Sequence, residues 1–128
     1  MSHKIWEING ISLELNLQDA DANERCENAF EKMEENEKAL PKDGKNSERI
    51  RQYCQLFRQL YDDIFGAGTS EKIFNGLPTS VDVYENIYYQ FLDFVNAQKV
   101  GIEMDRAKRI EKYTPVNRQQ RRAAGKKK

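Results

Sequence analysis

The chain has 128 residues, 38% of them hydrophobic and 33% charged, with 21 Lys and Arg balanced by 21 Asp and Glu. That length suits one domain with a modest core, and the composition stops short of the disordered extreme. No stretch approaches the ~20 apolar residues that cross a bilayer and no signal-like apolar region follows the N-terminus, so no membrane association and a cytoplasmic location are expected.

The first element predicted is a β-hairpin. Lys4–Ile8 and Ile11–Leu17 flank Asn9-Gly10, the two-residue loop suited to a type I′ turn because both positions need positive φ. Such a turn pairs Ile8 with Ile11 and Trp6 with Leu13, so Trp6, Ile8, Ile11, Leu13 and Leu15 share one face. A lone hairpin is marginal in water. Its apolar face must therefore rest on the helices or on another copy of the chain.

A first helix is expected from about Asp19 to Leu40, capped by Asp19 or Asp21. Ala22, Cys26, Ala29, Phe30 and Met33 make a narrow apolar stripe, and the charged run Glu31–Lys38 should lie along the surface. Its carboxylates read as a solvated face with i,i+4 partners such as Glu34 and Lys38. Pro41 to Gly44 then breaks the helix. The second helix, about Ser47 to Phe65 with Ser47 as cap, carries Ile50, Tyr53, Cys54, Phe57, Leu60, Tyr61 and Ile64 at helical spacing. Gly66-Ala67-Gly68 ends it. Cys26 and Cys54 both fall on apolar faces and read as reduced core residues, a disulfide being the lesser alternative.

Thr69 to Asn75 suits a short helical turn. A third main helix starts at Thr79 or Ser80, with Thr79 and Asp82 forming a loose capping box. Val81, Tyr84, Ile87, Tyr88, Phe91, Leu92 and Val95 form its stripe. The helix either continues to Lys112 or kinks at Gly101. Tyr89 and Phe94 fall at its periphery and, with Trp6, are the apolar candidates for partner binding. The expectation is an α+β fold, mostly α: residues 1–112 as one hairpin-plus-three-helix domain packed through Phe57 and Phe91, and 113–128 as a flexible tail.

That tail holds six of the 21 bases and no acid. The body before it therefore carries a net charge of −6 and the tail +6. Arg118, Arg121 and Arg122 would line one side of a helix, suited to nucleic acid phosphates or to an acidic protein surface; solvated disorder is the third reading. The negative body repels nucleic acid, which favours a protein partner. Enzyme signals are nearly absent. His3 is the single histidine, the cysteines lack CxxC spacing, and Gly66-Ala67-Gly68 follows a helix and lacks the rest of a phosphate loop. Neither catalytic residues nor a cofactor are expected.

The opening Ile5-Trp6-Glu7-Ile8-Asn9-Gly10-Ile11-Ser12-Leu13-Glu14-Leu15-Asn16-Leu17 and the ending Asn117-Arg118-Gln119-Gln120-Arg121-Arg122 resemble the two ends of tail assembly chaperones from long-tailed phages and prophages of Gram-positive bacteria. The likeness covers both ends by motif and the middle by length and architecture. It implies a small cytoplasmic protein without catalytic residues. Such a protein binds the tape-measure protein and keeps it soluble while tail-tube subunits polymerise. It also admits self-association into an oligomer. A structural tail or head-tail component, and a small nucleic-acid-binding accessory protein acting through the basic tail, are the alternatives.

Overall fold

The computed structural model describes residues 4–113. Asn9 and Gly10 both take positive φ, +48° and +79°, and turn β1 (Ile5–Ile8) antiparallel onto β2 (Ile11–Glu14) in the expected register, Trp6 opposite Leu13 and Ile8 opposite Ile11. The Asn9 amide also donates to the carbonyls of Ile73 and Asn75, at 2.8 and 3.0 Å, tying the turn to the middle of the chain. The apolar face of this hairpin lies on the helices, with Trp6, Ile8 and Leu15 in the core.

Helix α1 (Ala20–Lys38) is capped by Asp19, whose carboxylate accepts the Ala22 N–H at 2.9 Å. Ala22, Cys26 and Ala29 are buried; Phe30 and Met33 pack at the margin. The charged half runs along the surface beside α2, and Lys38 meets Glu34 at 3.9 Å. Helix α2 (Asn46–Phe65) begins before Ser47, which is inside the first turn rather than the cap; Lys45 holds the N-cap position and offers no side-chain hydrogen bond. Two positions depart from the expected stripe. Ile50 is exposed near the helix start, whereas Leu56 is buried. Gly66 ends α2 at φ +116°, ψ +154°, a region that is nearly glycine-only.

Helix α3 (Thr69–Ile73) follows, and its Ser70 N–H and hydroxyl bond the Asp62 carboxylate at 2.8 and 3.2 Å. Helix α4 (Val81–Tyr113) runs unbroken through Gly101 for 33 residues, about 50 Å at 1.5 Å per residue. The Thr79–Asp82 box gives way to a Ser80–Asp82 contact, with the Ser80 carbonyl accepting the Tyr84 N–H. Phe57 and Phe91 are both buried at the centre, as the spacing requires, while Leu92 is exposed.

The architecture is thus mostly helical, a two-stranded hairpin laid on α1, α2 and α4. Both cysteines are buried free thiols, and burial pushes their pKa values up. No helix among the described residues is long and apolar enough to cross a membrane.

One core group lacks a partner: among the described residues, the buried Tyr61 hydroxyl has no hydrogen bond. Its ring packs against Trp6, Phe74 and Phe91, at centroid distances of 5.7, 5.9 and 5.5 Å. Tyr61→Phe keeps those ring contacts and removes an unpaired polar atom. Thermal unfolding should therefore show an unchanged or slightly raised melting temperature, a gain of up to about 1 kcal/mol. A fall of several degrees would mean that the hydroxyl has a favourable role in the folded state.

Candidate interaction surfaces

The three apolar candidates separate. Strand alternation turns Trp6 inward, where only 5% of it stays exposed. Its ring lies 5.7 Å from Tyr61, 6.4 Å from Phe65, 5.1 Å from Phe91 and 6.3 Å from Phe94. Trp6 thus joins the hairpin to α2 and α4 and presents almost no surface in this state. Phe94 is half-buried at the edge of the same cluster. Tyr89 points outward and is 56% exposed. Arg118, Arg121 and Arg122 lie outside the described residues.

Two surfaces stand out. The first is a cleft where the charged half of α1 meets α2 and the start of α4. Met33, Glu34, Glu37, Tyr53, Glu85 and Tyr89 are among the residues that line it. Tyr53 donates to Glu85 at 2.7 Å. Burial, then this bond to a carboxylate, raises the Tyr53 pKa. Burial also raises that of Tyr88, with Glu37 and Tyr89 adding to it. The cleft therefore combines aromatic rings held as neutral phenols with carboxylates, a surface suited to a basic, partly apolar protein segment. Among the described residues no group of three or more His, Cys, Asp or Glu could hold a metal.

The second surface is the outer side of α4. Val100 follows Tyr89 by eleven residues, about three turns, and Met104 follows by one more turn, so the three share a face. That face lies opposite Phe91, on which α4 meets the core. Val100 is 45% and Met104 56% exposed, and Leu92 and Ile110 are exposed beside them. The charge along the helix is divided. From Val81 to Gln98 there are three acids (Asp82, Glu85, Asp93) and no base; from Lys99 to Lys112 there are five bases and three acids.

Of these three, Tyr89 is among the residues expected from the sequence to bind a partner, and Val100 and Met104 are not. Their signal was present as a second apolar period offset by half a turn from the Phe91 stripe. Gln98 was also missed. It is 1% exposed, and its amide accepts the Leu17 N–H at 2.7 Å and donates to the Leu15 carbonyl at 2.9 Å. One side chain thereby completes the backbone bonding where β2 runs out.

A family model matches residues 9–125, and the chain belongs to that family, a family of unknown function designated DUF6673. Neither a curated protein nor a solved structure matches the chain.

Proposed function

We propose that this member of the family is a non-enzymatic tail assembly chaperone of a phage or prophage, acting in the host cytoplasm by binding the tape-measure protein during tail morphogenesis. The observation that carries the reading is the exposed apolar face of α4, with Tyr89, Val100 and Met104 on a helix that extends well past the hairpin that packs on its first half. Apolar side chains aligned on one helix face and bordered by charges suit association with another protein. The division between an acidic body and a basic C-terminal segment supports solubility while a long amphipathic client is held. The resemblance of the two chain ends to tail assembly chaperones supplies the identity of that client.

A chaperone leaves before the particle is complete, whereas a structural tail component remains. Quantitative mass spectrometry of induced lysate and of purified particles separates the two. The expected result is abundant protein in the lysate and almost none in finished particles. Stoichiometric copies in particles would contradict the chaperone reading and favour a tail or head-tail component.

A further inference from the structure

We propose that the cavity between the second half of α1, α2 and the start of α4 is a cage for one arginine side chain of a protein partner. The proposal is separate from the outer face of α4 and takes from the functional reading only that the chain binds protein.

The cavity holds about 190 Å³ and stands half open to solvent, room for one long side chain rather than for a helix. Tyr53, Tyr88 and Tyr89 form part of its wall together with Glu34, Glu37 and Glu85, and no Lys, Arg or His lines it among the described residues. Lys38, which meets Glu34 at 3.9 Å, is exposed and stands outside the lining.

The rings differ in orientation, as the walls of a cage must. Tyr53 stands at 89° to Phe57 with centroids 5.2 Å apart, Tyr88 leans at 57° on the same Phe57 at 5.2 Å, and Tyr89 is tilted 46° from Tyr88. Phe57 is buried in the core, so it anchors Tyr53 and Tyr88 from behind. The bond from Tyr53 to Glu85 fixes that phenol and one carboxylate together. After burial and, for Tyr53, the Glu85 bond, the charge of Glu37 raises the pKa of both Tyr53 and Tyr88. Both phenols are thus neutral at pH 7, with a carboxylate close by.

Ring faces and carboxylates favour the same occupant. A cation over an aromatic face is attracted by the ring quadrupole, and carboxylates beside it add charge-assisted hydrogen bonds. A guanidinium meets both conditions at once, because it is planar, stacks on rings and presents forked N–H donors; a lysine ammonium is a more strongly hydrated point charge. An anion would be repelled by three carboxylates, and an apolar side chain would desolvate them without pairing them. Next to the cavity lies a wider cleft that shares Glu37 and Tyr53 and is also lined by Leu40, Ile50 and Val81, apolar ground for the residues that flank the arginine. That cleft also carries Lys42 and Arg49, so the preference for a cation is confined to the cavity.

The test is a titration of the full chain, its labelled tyrosine rings followed by NMR, with N-acetyl-arginine amide as probe and N-acetyl-citrulline amide as its neutral isostere. The arginine probe should give saturable shifts on the rings of Tyr53, Tyr88 and Tyr89, and the citrulline probe should bind at least about tenfold more weakly. Tyr89→Ala and Glu37→Gln, both at exposed positions, should each weaken binding about threefold or more while the melting temperature hardly changes. Tyr89→Phe keeps the ring face and should bind like the parent chain. Equal binding of the two probes, shifts that never saturate, or full binding by both weakened variants would overturn the cage.

A full chain with Arg118→Gln, Arg121→Gln and Arg122→Gln together should bind the probe as the parent does. Markedly tighter binding would make the chain's own basic segment the occupant and overturn the assignment to a partner. Failure of the arginine probe to bind, with the tape-measure protein still captured, would overturn this proposal and leave the functional reading standing. Saturable arginine binding by a chain that captures no tail protein would support the cage and contradict the function.

Discussion

Trp6→Ala should lower the melting temperature by more than about 10 °C, the largest effect expected from a single truncation in this chain. The Trp6 ring is 5% exposed and lies within 6.4 Å of four other aromatic rings, from both α2 and α4. Removing a buried Trp side chain costs about 3–5 kcal/mol, through lost burial and the cavity left behind. For a domain of this size about 4 °C follows each kcal/mol. Trp6→Phe retains part of the ring contact and should fall between the two. Tyr89→Ala, at an exposed position, should shift the transition by less than about 0.5 kcal/mol. If Trp6→Ala unfolded like the wild-type protein, the hairpin would not be docked as described, and Trp6 would regain its standing as a surface residue for a partner.

Gln98→Ala is expected to cost about 2–4 kcal/mol although it deletes no apolar residue. The side chain bonds the Leu17 N–H and the Leu15 carbonyl at positions more than 80 residues away in sequence. Its loss leaves two backbone groups unpaired next to the core, each worth about 1–3 kcal/mol when desolvated. Gln98→Leu restores volume but neither hydrogen bond, so it should be almost as damaging. Gln98→Glu keeps an acceptor for Leu17 but loses the donor to Leu15 and adds a charge at a buried site. Hydrogen exchange gives a second readout, with the Leu17 amide expected to exchange faster in Gln98→Ala than in the parent chain. Rescue of stability by Gln98→Leu would show that packing, not the paired amide, holds α4 to the end of β2.

These two residues mark how far the sequence is legible. The hairpin register can be read because turn chemistry and alternation agree: Asn9-Gly10 demands positive φ, and a one-residue slip would turn Trp6 to solvent. Alternation names the apolar face but not what covers it. Trp6 therefore looked available to a partner, while Tyr61, Phe65 and Phe91 occupy that side. Gln98 gave no signal because a polar residue on a helix reads as solvent-facing, and the backbone groups it meets arrive only with the tertiary fold. The limits of α2 shifted for a local reason. Ser47 has the chemistry of a cap, yet the chain enters the helix at Asn46, two residues too early for it to serve. On α4, the dominant Phe91 stripe masked the weaker outer period of Tyr89, Val100 and Met104, whose function depends on what lies against it. Arg118, Arg121 and Arg122 are legible as charge alone.

Binding of a tail protein is what separates a tail assembly chaperone from the other roles open to this chain. The most direct measurement is affinity purification of the tagged full-length chain from the induced host at moderate salt, with mass spectrometry of the bound proteins and nuclease-treated samples in parallel. The predicted result is enrichment of the tape-measure protein, unaffected by nuclease. Recovery of nucleic acid with no tail protein would contradict the account and transfer the function to the basic segment after Tyr113.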